Sequence, residues 1–311
     1  MDRIQLLEDK VTKFGGQVFP KFGWCCILAG GSGSGKGYTL KNYIPIEGRM
    51  FDPDAVKEKT IKKVRVVQSD LGNRLVYTTP AGEQVIDLDE RGIDPPYNTN
   101  NPKFTGLIHE ISRPLVKKLK NFIFKGGNAS DGRLPNIIFD CTMSDETDYD
   151  IIVPQMKSLG YKVAIVYVFT HIDVAVGQNK TRGTTNIPDG NGGIQYGRRV
   201  DYKTLLDTHE GFIRALRNIK GRPDIISKVD DIWAVISSRG TPPVIVSIKD
   251  GDKLNLSSVD KFIDDDYQRI LSLQREYEKS ADPDSYNEGV HVIGAYDLYE
   301  ALKEMKKIDE E

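Results

Sequence analysis

The run Gly30-Gly31-Ser32-Gly33-Ser34-Gly35-Lys36-Gly37-Tyr38-Thr39 constrains this chain more than any other. It follows the unbroken apolar stretch Trp24-Cys25-Cys26-Ile27-Leu28-Ala29 and opens a helical pattern reaching Ile44. An apolar run without alternation is what a strand buried on both faces requires. Strand, glycine loop, lysine and helix in that order form a phosphate-binding loop. The glycines let consecutive backbone N–H groups turn inward, the helix N-terminus adds partial positive charge, and Lys36 adds a full one. One position departs from the pattern. The residue after the lysine normally supplies a metal-binding hydroxyl, and here it is Gly37.

Two further buried-strand runs, Asn136 to Cys141 and Lys162 to Phe169, alternate with helical stretches at Leu107 to Phe124 and Asp145 to Leu159. That rhythm predicts βαβ units and a mostly parallel sheet flanked by helices, an α/β fold. Strands are also expected at Asp231 to Ser237 and Pro243 to Ile248. Two insertions break the rhythm. Lys63 to Leu88 alternates apolar and polar residues between turn signals and predicts a small β-meander. Gly177 to Gly197, rich in Gly, Asn and Thr, predicts a long unstructured loop of the kind that serves as a lid. Beyond Gly251, Val259 to Glu278 and Tyr296 to Lys307 predict charged surface helices.

Composition excludes several classes. The 43 Lys+Arg against 45 Asp+Glu give a net charge of −2, which argues against a protein coated in nucleic acid. Three cysteines make no disulfide framework or metal knuckle and suit a reducing cytosol. No apolar run approaches a membrane span, and Met1 to Asp9 lacks a secretion signal, so a cytoplasmic location is expected.

Phosphoryl transfer needs a group to take the acceptor's proton. Asp52 and Asp54, in Phe51-Asp52-Pro53-Asp54, fall where a second strand ends beside the loop, and either can be that base. The plainer alternative is an Asx-Pro turn with Asp54 capping a helix. Asp140, at the tip of Ile137-Ile138-Phe139, can orient Mg²⁺, with Thr39 standing in for the missing hydroxyl; its plainer role is to cap the helix starting near Asp145. His109 and His209 read as packed or surface histidines.

The loop at Gly30 to Thr39, FDPDAVK (51–57), FTGLIHEISRPLVKKL (104–119), NIIFDCT (136–142) and GRRVDYKTLLDTHEGF (197–212) together resemble the zeta-toxin-type P-loop kinases. The resemblance implies ATP as donor, Mg²⁺ as cofactor and Asp54 as base. It puts Asp52, Thr105, His109, Ser112, Arg113 and Thr142 on the acceptor side. It also implies phosphate-clamping arginines at Arg182 and Arg198 or Arg199. The implied layout is a kinase domain over 1–250, with the meander at about 60–104 and the lid at about 177–200, then a helical extension over 251–311. The meander and extension are additions to the toxins and are similar to those of phage relatives that phosphorylate 5-hydroxymethyluracil in DNA. That implies modified DNA as acceptor and, for a phage protein, the host cytoplasm; the toxins' UDP-N-acetylglucosamine is the alternative. Basic runs at Lys57 to Arg65 and Arg113 to Lys125, with Tyr97 and Phe104 to stack on a base, suit DNA. A nucleotide-binding protein without catalysis is the remaining class. Against a GTPase switch, Asn179-Lys180-Thr181-Arg182 lacks the Asp of NKxD, and Asp140 to Met143 lacks the Gly of DxxG.

Overall fold

The computed structural model describes residues 12–14, 17–19, 22–44, 46–70, 72–79, 81–98, 101–127, 129, 133–181, 186–188, 194–196, 200–237 and 243–280. After a short hairpin of β1 (Thr12–Phe14) and β2 (Gln17–Phe19), β3 (Trp24–Ala29) leads through the glycine loop into α1 (Lys36–Tyr43). Then come β4 (Arg49–Phe51), α2 (Pro53–Ile61) and the meander β5 (Arg65–Ser69), β6 (Gly72–Thr79) and β7 (Gly82–Asp87). The chain continues through α3 (Pro102–Phe124), β8 (Ile137–Asp140), α4 (Glu146–Ser158), β9 (Lys162–Phe169) and α5 (Ile172–Thr181). A hairpin of β10 (Asn186–Pro188) and β11 (Ile194–Tyr196) precedes α6 (Tyr202–Lys220) and α7 (Pro223–Ile226). The last elements are β12 (Asp231–Ile236), β13 (Val244–Ser247), β14 (Lys249–Asp250), β15 (Lys253–Leu254) and α8 (Asp260–Lys279).

Six strands form the central sheet in the order β13-β12-β9-β3-β8-β4, parallel throughout except for the β12–β13 pair. The unbroken apolar runs are explained by what covers them. On β3, Cys25, Ile27 and Ala29 point into a core completed by α4, α6 and α8, whereas Trp24, Cys26 and Leu28 face Leu40 and Ile44. The two-residue period thus puts apolar side chains on both faces. Burial drives the thiol of Cys26 up to about 12, so it is a packing residue, not a nucleophile.

The meander forms its own antiparallel three-stranded sheet, joined to α3 through Leu75, Leu88, Phe104 and Ile108. The expected unstructured loop at 177–197 is partly ordered: α5 runs to Thr181, and β10 pairs with β11. The expected helix at Tyr296 to Lys307 lies outside the described residues. The stretch read as a surface helix at Val259 to Glu278 buries one side, because Ile263, Asp266, Ile270 and Leu273 recur at helical spacing, and the three apolar ones enter the main core. Among the described residues, no helix is long and apolar enough to cross a membrane.

Candidate active site

Parallel strands β3, β4, β8 and β9 end on one edge of the sheet, and the glycine loop rises from β3 at that edge. Gly35 precedes α1 with φ 81°, a left-handed conformation that lets the helix start abruptly. Gly31 is required for another reason: a Cβ there would lie 2.3 Å from His209 Cδ2. Gly37 needs neither allowance, since a Cβ on it would meet nothing within 4 Å. Lys36 Nζ lies 2.9 Å from the Gly30 carbonyl oxygen and 3.7 Å from Asp140 Oδ1.

The loop is braced from behind by groups distant in sequence. Thr170 Oγ1, just past β9, donates to the Ser34 carbonyl at 2.7 Å. Thr208 Oγ1 accepts from the Ser32 N–H at 3.3 Å, and His209 Nε2 lies 2.8 Å from the Ser32 carbonyl. A carbonyl accepts only, so this contact fixes His209 as the Nε2–H tautomer. Burial pushes the imidazole down to about 4, which keeps it neutral. His209, read from sequence as structural, proves to be structural support for the loop itself. Nothing in the sequence marks Thr170 or Thr208, because side chain-to-backbone contacts across 136 and 176 positions leave no local pattern.

The acids converge beside the loop. Phe51 pairs with Phe139 and Leu28 with Asp140, so Asp52 and Asp140 are at adjacent strand ends. Burial raises the Asp140 carboxyl above its ordinary value; Lys36 opposes this, and Asp52 and Asp54 add to it by repulsion. The capping alternatives fall to neighbours. Asp52 Oδ1 accepts the Asp54 N–H at 2.7 Å, an Asx-type turn into α2, and Asp145 Oδ1 accepts the Thr147 N–H at 2.9 Å as the cap of α4. Asp54 is instead exposed in the first turn of α2, paired with Lys57 Nζ at 2.9 Å.

Other expected site residues are less well placed. Ser112 is fully buried and its hydroxyl donates to the His109 carbonyl, which puts it in the packing of α3 rather than on an acceptor surface. Thr105 Oγ1 donates to the Asn101 carbonyl at 3.0 Å. His109 and Arg113 are exposed on α3, and Thr142 Oγ1 lies 3.1 Å from Ser144 Oγ. Phe104 is only 1% exposed and packs in the meander core, so it is not available to stack on a base. Thr39 is also 1% exposed, at the start of α1. Asp140, with Asp52 at the adjacent strand end, is the kind of group that a hard cation such as Mg²⁺ takes, since it binds through one or two carboxylates plus nucleotide phosphates. Among the described residues, no cluster of three or more His, Cys, Asp or Glu side chains could hold a metal unaided. Arg182, Arg198 and Arg199 lie outside the described residues.

Residues 97–241 match the family described as Zeta toxin, a segment that begins after the glycine loop and the Asp52–Asp54 pair. A search of curated proteins finds no match. Among solved structures, the AvrRxo1-ORF1:AvrRxo1-ORF2 complex with sulphate ions superposes with a TM-score of 0.52 at 14% identity, covering 85% of this chain and 73% of that chain. The same complex with ATP gives 0.50 at the same identity and coverage. A structure of the PezAT toxin-antitoxin system of Streptococcus pneumoniae gives 0.40 at 13% identity, covering 88% of this chain and 93% of that chain. At such identities the AvrRxo1 likeness bears on fold alone. The mostly parallel sheet flanked by helices is an α/β fold similar to that of the AvrRxo1 structures.

Proposed function

We propose that this chain is an ATP-dependent kinase that transfers the γ-phosphate to a hydroxyl. The observation that carries the reading is the meeting of glycine loop, Lys36 and Asp140 at one sheet edge, with Asp52 and Asp54 close enough to perturb that carboxyl. In this reading the loop N–H groups and the N-terminus of α1 hold the β- and γ-phosphates, and Lys36 neutralises them. The acceptor oxygen attacks the γ-phosphorus, the bond to the β–γ bridging oxygen breaks, ADP leaves, and Asp54 takes the acceptor's proton. Asp140 would hold Mg²⁺, which would supply further charge neutralisation. The clamping role belongs to Arg182 with Arg198 or Arg199. ATP as donor draws support from the structurally similar AvrRxo1 complex, which was solved with ATP.

For the acceptor we put first the hydroxymethyl group of 5-hydroxymethyluracil in DNA. Its support is the exposed Lys59, Lys62 and Lys63, which follow Asp54 along α2 and the turn after it and can meet flanking phosphates. The match of residues 97–241 to Zeta toxin favours a sugar nucleotide, UDP-N-acetylglucosamine, as a second reading. Both acceptors place the enzyme in the cytoplasm, with ATP.

The test is incubation with γ-labelled ATP and Mg²⁺ beside 5-hydroxymethyluracil DNA, thymine DNA, UDP-N-acetylglucosamine or no acceptor. Label in the modified DNA alone supports the first reading, and label in the sugar nucleotide supports the second. ATP binding with no transfer to either would leave a nucleotide-binding protein without this activity.

A further inference from the structure

Besides Val116, Ile123 and Phe124, which pack on the main core, helix α3 carries the apolar stripe Phe104, Ile108, Ile111, Leu115, Leu119 and Phe122, spaced by three or four residues. The meander covers its first half: Phe104 and Ile108 are buried with Leu75 and Leu88, and Ile111 packs against them. The second half is exposed. Leu115 is 55% exposed, Leu119 37% and Phe122 54%. Three large apolar side chains in line on a helix are a binding surface, not scattered surface residues.

Charge narrows what can cover them. Lys118 and Lys125 are exposed and run beside the stripe, seven residues apart like Leu115 and Phe122. The segment 111–125 holds Arg113, Lys117, Lys118, Lys120 and Lys125 and no acid. A second copy of this chain seated symmetrically here would bring like charges together. Nucleic acid would satisfy the lysines but press Leu115, Leu119 and Phe122 against phosphate and sugar.

We propose that the C-terminal half of α3 is the docking site for an acidic amphipathic helix of a partner protein. Apolar residues at i, i+3 or i+4, and i+7 of that helix cover Leu115, Leu119 and Phe122, and its acidic flank meets Lys118 and Lys125. The new contact continues the core that the meander already forms on the same stripe. It is independent of the kinase reading.

The test uses the full chain and a fluorescently labelled synthetic helical peptide with Leu at i, i+3, i+4 and i+7 flanked by Glu, titrated by anisotropy. Saturable binding is expected, weakened by salt and at least about tenfold by Leu119→Asp, a change at an exposed site checked for folding by circular dichroism. Lys118→Glu should weaken the Glu peptide and strengthen one carrying Lys in its place, which guards against a simple folding defect. The proposal is overturned if a scrambled peptide binds equally well, or if Leu119→Asp and the parent chain bind alike. It is equally overturned if the stripe proves to pair two copies of this chain, or if duplex DNA or anionic vesicles displace the peptide.

Discussion

His209 Nε2 approaches the Ser32 carbonyl oxygen to 2.8 Å across 177 positions, and the same ring fills the space that a side chain on Gly31 would need. One imidazole therefore both ties and shapes the outer wall of the glycine loop. The glycine at 31 thus answers to a side chain on α6. Its absent side chain and the histidine's presence are one structural fact.

This coupling can be measured. Gly31→Ala should drive a methyl group into the ring and displace the loop, weakening ATP binding by about tenfold or more, in line with an overpacking cost of roughly 1–3 kcal/mol. In the double variant Gly31→Ala/His209→Ala, much of that loss should return, giving non-additive energies by isothermal titration. Strict additivity would show that the two residues do not share the space.

Gly37 lacks any steric reason to be glycine. Gly37→Ser should fold at least as stably, gaining about 0.5 kcal/mol in helix propensity. It also restores a hydroxyl after the lysine, so half-maximal transfer should need less Mg²⁺. A fall in ATP affinity in this variant would mean that the loop depends on glycine there.

A pH signature comes from Asp266 on α8, whose carboxyl accepts the Ile172 N–H at 2.7 Å. Burial raises its pKa from 3.8 to about 7. The folded chain thus holds a proton that the unfolded chain has released, and stability falls as pH rises through that window. Asp266→Asn keeps an acceptor for Ile172 and escapes the penalty. Relative to the parent chain it should gain roughly 2–3 kcal/mol between about pH 5 and pH 8 in denaturant melts. His209 acts oppositely, its depressed pKa removing stability as pH falls from about 6.5 towards 4, so the difference between the two proteins is the informative quantity. An equal difference at both pH values would contradict a buried, proton-holding Asp266.

Much of this architecture was legible in the chain itself. Trp24 to Ala29 and Lys162 to Phe169 announced strands covered on both faces, because no polar residue interrupts them until Thr170 and the glycine loop. The meander followed from its two-residue alternation. What stayed hidden depended on distance or on charge. The threonines and the histidine behind the loop act through backbone groups far away in sequence, which no periodicity records. The helix at 260–279 looked solvent-facing because of its many charges, although Ile263, Asp266, Ile270 and Leu273 already marked a buried face. Thr39 suits a metal ligand by its chemistry, and its burial is a property of packing that the loop motif does not specify.

The central claim is that Asp54 takes the acceptor's proton and has no part in holding the nucleotide. Single-turnover transfer of label from γ-labelled ATP, measured for the parent chain and Asp54→Asn beside their ATP affinities, tests it most directly. The account predicts an affinity within about twofold and transfer slower by about 10²–10⁴-fold in the variant. Transfer by Asp54→Asn at the parent rate would contradict it.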